Sequence, residues 1–180
     1  MPFIVGLGGT MRFGSSNERA LRIAMEHAAG LGAETLLITG ARLDLPTYDP
    51  AVEPSAAAEY VIDAIERADG VILASPSYHG GMTGLLKNAL DHLEALSDRP
   101  RPYLRDRPVG LIATGDGWQG PNATLMALRM TVHTLQGWPT PLGVAHNVAE
   151  NGVESARGQL QTVAEQVMDL ATLRLGAAVV

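Results

Sequence analysis

Five short apolar runs, each followed by a glycine- or proline-containing break and then a longer stretch of different period, limit what this chain can fold into. Phe3–Gly8, Thr35–Thr39, Val71–Ala74, Val109–Ala113 and the weaker Thr140–Ala145 read as strands. Between them the apolar residues recur at helical spacing. Leu21, Ala24, Met25 and Ala28 make one such stripe in a helix beginning near Glu18. Ala57, Tyr60, Val61, Ala64, Ile65 and Ala68 make a second, with Ser55 placed to cap it. Further helices are expected over Thr83–Leu96, Asn122–Leu135 and Val153–Leu175, and Pro100–Arg107 reads as a connector. Met25 and Met126 fall on the apolar faces of their helices and are expected in the core.

Strands apolar on both faces that alternate with helices imply a parallel sheet covered on each side, a three-layer α/β sandwich. Right-handed crossovers leave few topologies, and the expected strand order is 2-1-3-4-5. The 180 residues hold no internal repeat or linker, so one domain over 1–180 is expected. In such a sheet ligands bind beyond the carboxyl ends of the strands, where the strand order reverses between strands 1 and 3. The residues that matter should therefore follow strands 1, 3 and 4.

Composition removes several alternatives. A formal charge of −6 argues against nucleic acid as a partner, since that needs a basic face. The absence of cysteine rules out disulfides, thiolate metal sites and cysteine nucleophiles. His27, His79, His92, His133 and His146 show no ligand spacing, so no metal site is expected. Pro2–Gly9 lacks the basic flank of a signal peptide, and no apolar stretch approaches the roughly 20 residues that span a bilayer. The expectation is a cytoplasmic protein with no membrane partner.

Three loops carry the chemistry. After strand 1, Gly8-Gly9-Thr10-Met11-Arg12-Phe13-Gly14-Ser15-Ser16-Asn17 gathers hydroxyls, an amide and a planar cation at a helix N-terminus, the make-up of a phosphate cradle. Ser15 also fits as a helix cap, with Glu18 three residues on completing a capping box. After strand 3, Pro76-Ser77-Tyr78-His79-Gly80-Gly81-Met82-Thr83-Gly84 sets an aromatic ring among glycines, so that backbone can approach a flat ligand. After strand 4, Thr114-Gly115-Asp116-Gly117-Trp118-Gln119-Gly120 repeats that pattern around an indole.

Rival motifs fail at specific positions. Gly6-Leu7-Gly8-Gly9-Thr10-Met11 has Met11 where a dinucleotide fingerprint needs glycine, and strand 2 ends in Thr39-Gly40 rather than an acid. No Gly-Lys-Ser/Thr stands where a nucleotide-triphosphate loop needs it. A receiver domain would need clustered acids where Gly9-Thr10 and Ser75-Pro76 stand.

Gly9-Thr10-x-Arg12 with Ser15, Ser16 and Asn17 resembles the FMN phosphate loop of the NADPH-dependent FMN reductase family. Pro76-x-Tyr78-His79-Gly80-x-x-x-Gly84-x-Leu86-Lys87-Asn88-x-x-Asp91 is similar to that family's second and more specific signature. The match in order and spacing runs from about Phe3 to Gly120. The resemblance implies a flavodoxin-like fold, bound FMN, NADPH or NADH as co-substrate, and a homodimer or homotetramer. It assigns the phosphate to Thr10, Arg12, Ser15, Ser16 and Asn17. It assigns the isoalloxazine to Pro76, Ser77, Tyr78, His79 and Gly80, with Thr114, Gly115, Asp116 and Gly117 at the other edge. Thr10 stands where serine is commoner, and Asp116-Gly117-Trp118 replaces a more glycine-rich run, so Trp118 inherits no role.

Hydride chemistry belongs to the cofactor, and no acid–base dyad is required. His79 is the candidate proton donor to a reduced acceptor, and otherwise a hydrogen-bonding loop residue. Lys87 and Asp91 are spaced to pair on the helix, as scaffold or subunit contacts. The acceptor is expected to be a small molecule: free flavin, a quinone, an azo dye, a nitro compound or a metal oxyanion. Free FMN could also pass to a flavin-dependent monooxygenase. An electron carrier without direct NAD(P)H oxidation, and a domain that has lost its cofactor, are the alternatives.

Overall fold

The computed structural model describes residues 1–177. Its strands are β1 (Phe3–Gly8), β2 (Glu34–Thr39), β3 (Gly70–Pro76), β4 (Pro108–Gly115) and β5 (Trp138–Asn147). They form one sheet in the order β2-β1-β3-β4-β5, with every pairing parallel. The helices are α1 (Ser16–Gly30), α2 (Ala56–Arg67), α3 (Gly84–Asp91), α4 (Gln119–Thr134), α5 (Val148–Asn151) and α6 (Arg157–Ala177). This is the flavodoxin-like topology expected.

Alternation along the strands sorts the core into two halves. Val5, Leu7, Val71, Leu73, Val109 and Leu111 point into the layer of α2, α3 and α4. Ile4, Ile72, Ala74 and Ile112 point the other way, against α1 and α6. Gly6 and Gly110 lie on this second side. A β-carbon on Gly6 would fall 2.8 Å from Met25 Sδ, and one on Gly110 would fall 2.5 Å from a Val163 methyl. Small residues in β1 and β4 thus let α1 and α6 lie close on the sheet.

Several elements depart from the expected bounds. The helix expected over Thr83–Leu96 is α3 followed by a 3₁₀ turn over His92–Leu96. The closing helix expected over Val153–Leu175 is a 3₁₀ turn at Val153–Ala156 followed by α6, and the short helix α5 precedes it, set off by Gly152 at φ +65°. α4 starts at Gln119 and carries Pro121 in its first turn, where the missing N–H costs nothing. Met25 is buried as expected, but Met126 is 59% exposed on the outer side of α4. The core side of that helix is filled by Thr124, Leu128 and Val132 instead.

At the amino-terminal end of β4, Arg107 is fully buried. Its guanidinium donates to the carbonyls of Glu66 (2.7 Å), Ala68 (3.0 Å), Tyr103 (3.1 Å) and Arg105 (3.4 Å). Burial pushes its pKa down to about 10, so it stays charged at neutral pH. One cation thereby satisfies the carboxyl end of α2 and the connector before β4.

Candidate functional site

All three loops emerge at the carboxyl edge of the sheet and are cross-tied there. In the first, Thr10 is buried and its hydroxyl accepts from the Arg12 amide at 3.1 Å. Ser15 caps α1 through the Glu18 amide at 3.2 Å. The Glu18 carboxylate, also buried, reaches back to the Gly14 amide at 2.7 Å and pairs with Arg22 at 2.8 Å. The reciprocal cap is thus shifted one residue toward the loop, since the expected partner was the Ser15 amide. Arg12 is exposed and makes no ion pair among the described residues. Thr10 and Arg12 stand in the loop that leads into α1, and Ser15, Ser16 and Asn17 make its cap and first turn, where backbone donors and the helix dipole favour an anion.

Asn17 is buried and donates from Nδ2 to the Thr114 hydroxyl at 3.3 Å, tying the first loop to the third. Its amide oxygen is buried without a donor. Such an unmet acceptor costs about 1–3 kcal/mol in the bare chain, a cost that a hydroxyl-bearing ligand can offset.

The second loop folds back on itself. Tyr78 and Gly81 exchange two backbone hydrogen bonds of 3.1 Å, with His79 at φ +53° and Gly80 at φ +82° between them. That is the backbone of a type I′ turn, and it explains Gly80 by conformation. Gly81 and Gly84 have no such reason, and a β-carbon on either would meet nothing within 4 Å. Tyr78, His79 and Gly80 are exposed around this open ground.

The third loop packs tightly on the second. The Ser77 amide donates to the Thr114 carbonyl at 2.7 Å, and the Thr124 hydroxyl donates to Ser77 Oγ at 2.9 Å. A β-carbon on Gly120 would lie 2.6 Å from Ser77 Oγ, so glycine is what allows α4 to start so near the second loop. Between the two loops lies a cavity of about 460 Å³, bordered by His79, Gly80, Asp116, Gly117, Trp118 and Ala123.

Several bracing residues escaped the sequence reading. Spacing alone makes Thr83 a helix start, and in the fold its hydroxyl also donates to the Gly9 carbonyl at 2.8 Å. Asn147 accepts from the Gly117 amide at 2.8 Å, and Glu150 accepts from Trp118 Nε1 at 3.0 Å. Asn147 ends β5 and Glu150 stands just after it, where the end-of-strand rule applied to the fifth strand points. Lys87 and Asp91 pair at 2.6 Å, as their spacing suggested. Asn88 instead pins the segment before α2, accepting from the Tyr48 amide at 2.8 Å and donating to the Pro46 carbonyl at 3.0 Å.

FMN fits this arrangement: a helix N-terminus suited to an anion, an unmet acceptor in its first turn, and a second loop whose Gly81 and Gly84 have open space at the β-carbon. Comparisons with known proteins agree. The model of the family described as NADPH-dependent FMN reductase matches residues 2–151. Among curated relatives, the FMN-dependent NADPH-azoreductase of Staphylococcus aureus is 41% identical over 78 residues, 43% of this chain and 38% of that protein. The match thus spans well under half the length of that relative. FerB, a flavoenzyme NAD(P)H:(acceptor) oxidoreductase from Paracoccus denitrificans, superposes with a TM-score of 0.74 at 18% identity, over 96% of this chain and 98% of FerB. A flavodoxin variant from Pseudomonas aeruginosa superposes with a TM-score of 0.61 at 16% identity, over 93% and 99%. The last two likenesses speak for the fold. The match over residues 2–151, most of the chain, makes this protein a member of the NADPH-dependent FMN reductase family.

Proposed function

We propose that this chain is an FMN-dependent NAD(P)H oxidoreductase that passes reducing equivalents to a small-molecule acceptor such as free flavin or a quinone. The observation that carries the reading is the open ground at Gly81 and Gly84, glycines that neither packing nor backbone conformation requires. Thr10, Arg12, Ser15, Ser16 and Asn17 would hold the phosphate. Pro76, Ser77, Tyr78, His79 and Gly80 would line one edge of the ring, and Thr114, Gly115, Asp116 and Gly117 the other. When bound, FMN supplies hydride acceptance from a nicotinamide and delivery of electrons onward. The chain's part is to bind and orient: the helix end and Arg12 take the anionic tail, and the braced second and third loops fix the rims of the cavity. His79, held exposed in its turn, can give or take a proton at its ring nitrogens.

The name of the azoreductase relative adds azo compounds to the acceptors worth assaying, and a flavin-dependent monooxygenase could draw on free reduced FMN. A cytoplasmic location belongs to the same proposal. Among the described residues no helix is long and apolar enough to cross a membrane. We also propose a homodimer or homotetramer. Met126 and Met130 stand 59% and 65% exposed one turn apart on α4, and Met130 lines a groove of about 270 Å³ with Leu90, Leu135 and the Lys87–Asp91 pair.

An anaerobic absorption titration tests the activity. Protein reconstituted with FMN is given NADPH or NADH, and rapid bleaching is the expected result. Bound flavin that stays oxidised would instead identify an electron carrier. Failure to bind FMN would overturn the proposal altogether.

A further inference from the structure

Arg42 and Tyr60 border a cavity that none of the three loops uses. Gly40, at φ +58°, turns the chain out of β2 into a 3₁₀ turn over Gly40–Leu43. Leu43 anchors that turn in the same half of the core as Ala58 and Val61 of α2, which sets Arg42 beside the first turns of that helix. Arg42 is exposed and makes no ion pair among the described residues. With Ala57 and Tyr60, itself 45% exposed, it lines a cavity of about 330 Å³. That volume lies at the small end of the range for ligand pockets, about 300–1,000 Å³.

The charges nearby are sorted between two places. Glu59 and Asp63 of α2 line a different cavity, of about 670 Å³, together with Asp49, Glu53 and Glu94. No carboxylate among the described residues borders the cavity of Arg42. In a chain of net charge −6, a guanidinium kept clear of carboxylates, beside a phenol ring and the positive end of a helix, suits a phosphate joined to an aromatic base.

The sheet fixes where this cavity stands relative to the loops. Gly8 and Thr39 pair in register, and the Gly40 amide donates to the Thr10 carbonyl at 3.2 Å. The turn bearing Arg42 therefore lies against the loop after β1, where the FMN phosphate is proposed to sit. With β1 and β3 between β2 and β4, strand spacing puts the end of β2 about 12 Å from the gap between the loops after β3 and β4. An extended dinucleotide bridges such a distance through its pyrophosphate.

We propose that Arg42 and Tyr60 form a subsite for a phosphorylated adenosine, with the guanidinium on the phosphate and the phenol ring against the purine. Two ligands carry that group to this edge of the sheet. NADPH differs from NADH only by its 2′-phosphate, and Arg42 would then set the nucleotide preference. FAD continues beyond the flavin phosphate into AMP, and Arg42 would then set which flavin is held. The NADPH case rests on the oxidoreductase reading above; the subsite itself does not.

Binding of 2′,5′-ADP to FMN-loaded protein is measured by calorimetry, and flavin affinity by titrating apo-protein with FAD and with FMN. Both side chains are exposed, so variants at either position should unfold in urea like the parent. Arg42→Ala should weaken binding of the adenosine phosphate about 10- to 100-fold, the effect of one charge-assisted hydrogen bond, and Arg42→Lys should recover part of it. Tyr60→Ala should weaken it roughly three- to tenfold, the range that aromatic pairs contribute, and Tyr60→Phe should retain it. If NADPH is the ligand, Arg42→Ala lowers 2′,5′-ADP affinity and, through KM, the ratio of kcat/KM for NADPH to that for NADH. If FAD is the ligand, its affinity relative to FMN falls instead and the nucleotide ratio stands. Arg42→Ala protein in which neither quantity moves would overturn the proposal. Arg42-dependent binding of 2′,5′-ADP by a protein whose FMN is not bleached by NADPH would sink the oxidoreductase reading and leave the subsite standing.

Discussion

The hydroxyl of Thr83 donates to the carbonyl of Gly9 at 2.8 Å while accepting from the amide of Leu86 at 3.2 Å, so one buried side chain caps α3 and joins the loop after β1 to the loop after β3. The approach is close: a β-carbon on Gly9 would sit 2.7 Å from that hydroxyl. Two loops that are 74 residues apart in sequence share a single hydrogen-bond hub. Thr83→Val keeps the shape and removes the hub. It should destabilise the protein by about 1–2 kcal/mol in urea unfolding, from the lost cap and the unpaired Gly9 carbonyl. FMN titration of the same variant should show weaker binding, since the two halves of the site lose their register.

Arg12→Ala separates binding from folding. The side chain is exposed and unpaired by salt bridges among the described residues, so urea unfolding without FMN should not move. FMN affinity should fall about 10- to 100-fold, the effect of one charge-assisted hydrogen bond. Unchanged affinity would remove Arg12 from the phosphate site.

At Gly81 a side chain costs the protein little, because its β-carbon meets nothing within 4 Å and its φ is ordinary. Gly81→Val should therefore unfold within about 0.5 kcal/mol of the parent and yet lose FMN affinity by about tenfold or more through crowding of the ring. Gly80→Val should lose flavin too, but with an added folding cost at its φ of +82°. A normal flavin spectrum in Gly81→Val would sink the assignment of the second loop.

Arg107 lies at the opposite end of β4 from the site. Arg107→Met leaves the carbonyls of Glu66, Ala68, Tyr103 and Arg105 without their donor. The expected cost is about 3 kcal/mol or more, read by urea unfolding, while the folded fraction binds FMN like the parent.

The α4 surface gives a test of assembly. Met126→Lys combined with Met130→Lys places two charges one turn apart on the exposed face. Sedimentation velocity should show the parent as an oligomer and the variant shifted toward monomer. A parent that sediments as a monomer would refute the proposed assembly.

Strand order, the two helical layers and the gathering of three loops at one edge of the sheet were all legible in the sequence. Alternating apolar runs and helical stripes admit one economical parallel sheet, and end-of-strand loops in such a sheet lie together whatever their details. The Lys87–Asp91 pair and the Ser15 cap were equally legible, because spacing along a helix alone brings their partners together. Contacts between distant segments were not. The Thr83–Gly9 bond, the Asn17–Thr114 bond and the Trp118–Glu150–Asn147 clamp join residues from different loops, whose approach depends on how helices pack across strands. The outward turn of Met126 had the same origin, since periodicity gives the stripes of a helix and only packing chooses which stripe meets the sheet. Local sequence thus determined the elements and their order, because periodicity and capping act over a few residues. Tertiary structure decided which glycines serve packing and which face open space, because that depends on atoms contributed by other segments of the chain.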